Sequence, residues 1–363
     1  MPLQSRSVRV LIVDTHYPAF LKTHYGLSPS LESQSYATQW RTLMDTFFGT
    51  ADAYSHNLTA MGHEAHEVVA NCAPLQLQWA AEHDLRVQPG HSWQDEIVLA
   101  QAAEFRPDVV YVQDQMAITP KTLRRLRGGG AALVGQIATE PPGSAVLGEF
   151  DLMLTSCPHF IPRFRKEGVR CEYLRLAFDS RISERLEREG ISEQHGAVFV
   201  GSLKRFRRWN SNKTIERAAR RAPVEFWGYG ASQWPRTSPI RKNFRGEAWG
   251  LGMYRILRGA KIALNRHGDI AKNYAINMRL YEATGVGTLL LTDRKSNLQD
   301  LFDVDAEVVS YDNANDLAAK IDYFLAHDEE RTAIAKAGQA RTLHEHSYAR
   351  RMEELVEILE HNS

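Results

Sequence analysis

The sequence predicts an α/β protein built from two doubly wound, Rossmann-like domains. Three observations predict it. Short apolar runs of strand length alternate with helical patterning, which argues for parallel sheets covered on both faces. The alternation then restarts in the middle of the chain. Finally, 363 residues, 43% of them apolar, are more than one ordinary core accommodates.

The first strand is read at Val8 to Asp14, a β-branched run ending in a polar residue. Thr15 to Ser35 shows no clear period. Tyr36, Trp40, Leu43, Met44, Phe47 and Phe48 then recur at helical spacing, and a second helix is expected over Ala51 to Met61. "HEVVAN" is a strand with the helix "PLQLQWAAEH" behind it. "DVVYVQD", "AALVGQ", "DLMLTS" and "CEYLRLA" are further short strands. After the charged helix "SRISERLEREG", "AVFVGS" opens a fresh series that continues through "VEFWGYG", "AKIALNR", "TLLLTD" and "AEVVSYD". This places the division near Ile191 to His195. The expected units are 1–192, 193–345 and a closing helix over 346–363, with the two domains facing a cleft.

Charge and cysteine usage exclude several classes. Lys plus Arg and Asp plus Glu both number 44, so no long-range pull toward nucleic acid or anionic membrane is expected. Cys72, Cys157 and Cys171 lack metal-ligand spacing, and an odd, sparse count fits a reducing compartment. The apolar stretch near the N-terminus is too short for a signal-peptide core, and no run reaches membrane-span length. The expected location is the cytoplasm. No Ser-His-Asp order, HExxH or DxD is present, so a metal-held diphosphate is not indicated and no metal or other cofactor is expected.

Chemistry is sought at the carboxyl ends of the strands. In "NMRLYEATGVGTLLLTD", Asn277 is expected to cap or begin a helix and Gly285 to end it in a left-handed conformation, while Gly287 lets backbone approach closely. Amides near Ala275 to Met278 would form an anion site, with Arg279 adding a forked charge. Glu282, one turn on, has the two acceptors that a vicinal diol such as ribose requires. A surface ion pair between Arg279 and Glu282 is the simpler alternative. "VGSLKRFRRWN" sets Lys204, Arg205, Arg207 and Arg208 after a strand, which suits a phosphate leaving group. The alternative is a solvated charge run that touches RNA nonspecifically. In "FWGYG", Gly228 and Gly230 would leave room for a nucleobase beside Tyr229. In "LNRHGD", Asn265, Arg266 and His267 are sugar-contact candidates, and His267 is equally a structural histidine. Asp14, His16, Tyr17, Asp114, Gln136 and His159 follow strands in the first half, where loop and cap polarity is the simpler explanation for each.

From "VFVGS" to "YARRM", the second half resembles the C-terminal, group-1 type domain of glycosyltransferases with the GT-B fold, most closely that of spore-maturation CgeB-like proteins. "WGYG", "KIALNRHGD", "NMRLYEATGVGTLLLTD" and "EVVSYDNANDLAAKIDYFLAHDEERTAIAKAGQARTLHEHSYARRM" carry the resemblance in order. It implies metal-independent transfer of a sugar from a nucleotide sugar, bound by the C-terminal domain, to a hydroxyl acceptor bound by the N-terminal one. It implies that Glu282 binds ribose, that Lys204, Arg207 or Arg208 steadies the departing diphosphate, and that the last helix crosses back to the N-terminal domain. Many retaining relatives carry two glutamates eight positions apart. Here Tyr274 stands eight before Glu282, so another group, sought in "NRHGD", must contact the sugar. The expected function is a glycosyltransferase, retaining, with His267 and either Asp114 or Gln136 at the reacting groups. The acceptor (a saccharide, a protein or a small molecule) is unspecified. The rivals are a non-catalytic nucleotide-sugar-binding or assembly protein, a nucleotide-sugar epimerase, and a nucleic-acid binder built on "KRFRR".

Overall fold

The computed structural model describes residues 7–87, 93–205 and 211–361. Among them, strands β1 (Arg9–Asp14), β2 (Glu64–Val69), β3 (Val109–Val112), β4 (Ala132–Ile137), β5 (Leu152–Thr155) and β6 (Cys171–Tyr173) form a parallel sheet in the order β2-β1-β3-β4-β5-β6. Strands β7 (His195–Val200), β8 (Val224–Trp227), β9 (Phe244–Gly246), β10 (Ala260–Leu264), β11 (Leu289–Asp293) and β12 (Val309–Tyr311) form a second parallel sheet, ordered β12-β11-β10-β7-β8-β9. The central strands are continuous apolar runs because helices cover both of their faces. Val10 to Val13, Ile262 to Leu264 and Leu289 to Leu291 are almost wholly buried.

Two compact units result: Met1–Leu174 together with Met352–Ser363, and Arg175–Arg351. The expected division after residue 192 is therefore corrected to the Leu174–Arg175 bond. The reason is local packing of the segment between. Ser183 Oγ donates to the Gly285 carbonyl at 2.7 Å, and Arg255 clasps Glu189 through Nε and Nη2 at 2.7 and 2.9 Å. The Phe178 amide donates to the His346 carbonyl, and Tyr348 N–H donates to the Phe178 carbonyl. The helix Tyr348–His361 starts in the second unit and ends in the first. There Val356 and Leu359 line an apolar groove of about 460 Å³ with Val8, Val10, Val109 and Val134.

Three further elements differ from expectation. The stretch without a period contains the helix Pro18–Leu27, which buries Phe20 and Tyr25. Phe20 stacks on Phe48 at 3.9 Å, and Tyr25 donates to Gln39 at 2.9 Å. Partners of that kind are tertiary and leave no periodic trace. β6 stops at Tyr173, and β9 is a short strand that the sequence reading left unassigned. All three cysteines are buried and free. Among the described residues, no helix is long and apolar enough to cross a membrane.

Each unit buries a histidine. His16 packs edge-on against Phe20 and Phe48, and burial pulls its pKa down to about 4. His346 Nε2 lies 2.8 Å from the Leu301 carbonyl, and burial likewise lowers it to about 4. A histidine depressed below its unfolded value stabilises the fold fully above about pH 6.5, and that contribution is lost as pH falls toward 4. Each is expected to cost its unit roughly 2–3 kcal/mol between pH 7 and pH 4.5. Urea unfolding at both pH values checks this, and His16→Phe should shrink the acid loss of the first unit selectively.

Candidate functional site

Strand order reverses direction between β1 and β3 in one sheet and between β7 and β10 in the other. Loops leaving adjacent strands diverge there and open a crevice at the carboxyl edge. In the second unit the crevice is walled by the residues after β7 and β10, where most of the sequence candidates lie.

The β7 and β8 loops lie directly on each other. Gly201 N–H donates to the Trp227 carbonyl at 3.0 Å, and Leu203 N–H to the Tyr229 carbonyl at 2.8 Å. Gly228, at φ +122°, has the Gly201 carbonyl oxygen 2.0 Å from where a Cβ would stand, and at Gly230 the Lys204 amide is 2.8 Å from that position. The room expected for a base at these glycines is thus filled by backbone. They serve to seat the basic loop. Lys204 Nζ sits 5.3 Å over the Tyr229 ring, and Tyr229 stacks on Trp249. Sequence reasoning missed Trp249, whose signal was an aromatic just after the unassigned strand β9. Arg207 and Arg208 lie outside the described residues.

Arg266 ties the two walls together. Its Nε donates to Asn212 Oδ1 at 2.6 Å and its Nη2 to the Ser202 carbonyl at 3.2 Å, and Asn212 in turn donates to the Ser202 and Lys204 carbonyls. Asn265 and Asn277 exchange side-chain hydrogen bonds at 2.9 and 3.1 Å, and Asn277 also donates to the Arg266 carbonyl. Asn277 therefore neither caps nor begins the helix, which runs Arg279–Gly285 after Met278. Its side chain is committed to the β10 loop. Asn297 accepts from the Ala275 amide at 2.6 Å. The next three amides, of Ile276, Asn277 and Met278, have no hydrogen-bond partner among the described residues.

Arg279 and Glu282 pair with each other at 2.9 Å, with side chains only 13% and 10% exposed. Arg279 also reaches Met253 Sδ at 3.1 Å, and the buried Tyr254 hydroxyl donates to Glu282 at 3.4 Å. Burial, then the Glu282 charge, pushes the Tyr254 phenol upward. Gly285 is not left-handed. It is glycine because Phe178 carbons lie 2.5 Å from its Cβ position.

His267 is fully buried and oriented. Its backbone amide and Nδ1 both reach Asp293 Oδ1, at 2.9 and 2.7 Å, and Lys295 holds the other carboxylate oxygen at 3.1 Å. Burial opposes ionisation of Asp293, but His267 and Lys295 outweigh it and hold the carboxyl below its usual range. His267 Nε2 is buried with no hydrogen-bond partner among the described residues. Asp293, Lys295 and Arg266 line a polar cavity of about 500 Å³ with Asn273, Ser296 and Tyr311, while Glu282, Arg279 and Asn277 do not border it. Among the described residues, no group of three or more His, Cys, Asp or Glu side chains could hold a metal ion.

Asp114 and Gln136 belong to the first unit. Asp114 accepts from Thr15 Oγ1 at 2.6 Å and from the Met116 amide at 3.0 Å. Asp14 ends the adjacent strand; desolvation first, then the Asp114 charge, pushes it up to about 7. Gln136 lies inside β4 rather than after it. Its Oε1 accepts from Tyr54 and Tyr111 at 2.8 and 2.9 Å, and its Nε2 is buried without a partner among the described residues. His16 is taken up by the aromatic cluster described above.

Residues 207–357 match a family model described as glycosyl transferase-like. No curated protein matches the chain. Among solved structures, it is similar to Anabaena HepE in complex with UDP-glucose (12% identity, TM-score 0.63, covering 98% of this chain and 100% of that one). It is also similar to a glycosyltransferase from Rickettsia africae (11% identity, TM-score 0.58, 98% and 99% covered). A third likeness is to a sucrose-phosphate synthase from Thermosynechococcus elongatus (12% identity, TM-score 0.58, 99% and 100% covered). Two parallel six-stranded sheets with flanking helices, shared along nearly the whole chain, give this protein the two-domain α/β fold of the GT-B glycosyltransferases.

Proposed function

We propose that the chain is a metal-independent glycosyltransferase that moves a sugar from a nucleotide-sugar donor to a hydroxyl acceptor with retention of configuration. The observation that carries the reading is the run of three unpartnered amides, Ile276 to Met278, beside the β7–β10 crevice. Free N–H groups there suit a diphosphate, and Lys204 supplies a cation on the opposite wall. Glu282 follows within one turn and offers its carboxylate to a ribose, while Tyr229 and Trp249 present stacked rings for a base. The match to the glycosyl transferase-like model spans the β10 loop and this helix, and one structural neighbour was solved with UDP-glucose. Both support a sugar nucleotide as the ligand.

Breaking the glycosidic bond places negative charge on the diphosphate. Donors fixed in advance around it bind the transition state more tightly than the ground state. His267, held by Asp293, keeps one ring nitrogen free for a sugar hydroxyl and stands in for the glutamate that Tyr274 replaces. With retention, the departing phosphate takes the acceptor proton, so Asp114 or Gln136 has only to orient the acceptor. The reaction belongs with hexosyl and related transfers, and the cytoplasm is the compartment that holds such donors.

A second reading, a nucleotide-sugar-binding protein without turnover, is favoured by one observation: Arg279 and Glu282 already satisfy each other. The two uses of Glu282 separate in a double-mutant cycle. Arg279→Met and Glu282→Ala should each destabilise by about 2–3 kcal/mol, because each leaves a nearly buried charge unpaired, and the double variant should lose much less than their sum. Additive, small losses would mean that the pair does not hold the fold.

Calorimetric titration with UDP, GDP, dTDP and CDP tests the ligand itself. One nucleotide should bind saturably and lose about tenfold or more in affinity in Glu282→Ala. The matching nucleotide sugars should then be consumed when acceptor is supplied. Failure of every nucleotide to bind the folded protein would remove the donor-site assignment, and binding without any transfer would select the second reading.

A further inference from the structure

A second cavity lies at the opposite, amino edge of the same sheet. It measures about 290 Å³ and sits where β10 and β11 begin, at Ala260 and Leu289. Four cations line it: Arg258, Lys261, Arg331 and Lys336. The lining contains a single carboxylate, Glu193, which takes Arg331 at 3.2 Å. Asp328, nearby, is shared by Lys261 and Arg331. Arg258 and Lys336 are thus left with no carboxylate partner among the described residues.

Two of these cations, Arg331 and Arg258, are held in place before any ligand arrives. Arg331 is only 3% exposed. Arg258 Nη1 donates to the Val286 carbonyl at 2.8 Å, and Gln339 donates to the Gly285 carbonyl at 3.0 Å. Gly287, at φ +79°, is what admits them: a Cβ there would stand 2.8 Å from Arg258 Nη1 and 2.9 Å from Gln339 Oε1. A concave surface with excess positive charge and low-dielectric walls concentrates anions, and guanidinium forks fit tetrahedral oxyanions. We propose that this cavity binds a small phosphate-bearing anion at a site separate from the nucleotide crevice. The five residues of β10 separate the two edges of the sheet, roughly 15 Å at strand rise.

A ligand that binds only the folded state raises Tm in proportion to its occupancy. The intact chain is therefore heated with inorganic phosphate, with a hexose phosphate, and with chloride at equal ionic strength. The comparison covers wild type, Lys336→Glu and Lys204→Ala. Lys336 is exposed, so its reversal leaves the core untouched. Saturable stabilisation by either phosphate at concentrations up to about 20 mM, kept in Lys204→Ala and weakened at least tenfold in apparent affinity in Lys336→Glu, supports the site. The proposal is overturned if neither phosphate stabilises, if chloride does as well, or if Lys336→Glu responds like wild type. Loss of the response in Lys204→Ala alone would likewise overturn it, by placing the phosphate in the nucleotide crevice. Nucleotide binding is read separately through Glu282→Ala, so the two sites fail independently.

Discussion

A guanidinium with almost no water around it holds the crevice of the second unit in shape. Arg266 is 7% exposed and lies 5.7 Å over the Phe199 ring. Burial lowers its pKa, and the Tyr311, Asp293 and Asp269 groups oppose that fall. Removing a cation from water is costly unless hydrogen bonds replace the lost hydration. Here the Asn212 side chain and the Ser202 carbonyl replace it, and both belong to the chain leaving β7 or the helix after it. The fold therefore cannot satisfy this charge without joining the β7 and β10 loops. Lys204 on one side and His267 on the other acquire fixed positions as a consequence. Asn277 then extends the join to the helix Arg279–Gly285 through its bonds to Asn265 and the Arg266 carbonyl.

The pattern of strands was legible because burial on both faces demands uninterrupted apolar runs, and "VLIV", "VVYV", "IAL" and "LLL" are such runs. The restart at "AVFVGS" identified a second sheet for the same reason. Where a strand stops and a polar residue begins was equally visible, which is why Lys204, Asn265, His267 and Asp114 stood out in the sequence as candidates. What a side chain meets across the fold was not visible. Asp293 ends β11 and secures His267, which follows β10. Nothing in "NRHGD" announces a partner 26 positions later. The helix Pro18–Leu27 was missed because its two buried aromatics answer to Phe48 and Gln39 rather than to a period of their own. The division between units moved to Leu174 because Ser183 and Glu189, on a helix that reads as an amphipathic connector, bond to Gly285 and Arg255.

Arg279 and Glu282 show the limit of spacing as an argument. A separation of three residues predicts proximity on a helix, and the structure has it at 2.9 Å. Proximity alone does not say whether the pair faces a ligand. Their low exposure, the Tyr254 hydroxyl on the carboxylate and Met253 on the guanidinium make the pair part of the packing between two helices. A ribose that used Glu282 would have to share the carboxylate with Arg279 rather than find it free. A bidentate carboxylate permits this, since its two oxygens offer about four lone-pair positions.

Charge decides which switch point can receive a diphosphate. In the first unit, β1 ends in Asp14, and Asp114 follows two residues after the adjacent strand β3. Desolvation and the neighbouring carboxylate keep Asp14 near pH 7, so bringing another anion there would add repulsion to a site that already resists ionisation. Hydroxyl groups suit it better, because Asp114 already accepts one from Thr15 and a carboxyl group can accept a hydrogen bond or, when protonated, donate one. In the second unit, the loops after the corresponding strands carry Lys204, Arg266 and three amides with no hydrogen-bond partner among the described residues, and the two acids that line the cavity are paired, Asp293 with Lys295 and His267 and Asp312 with Arg294. The same topology thus presents opposite chemistry in the two sheets, and only the second is complementary to phosphate.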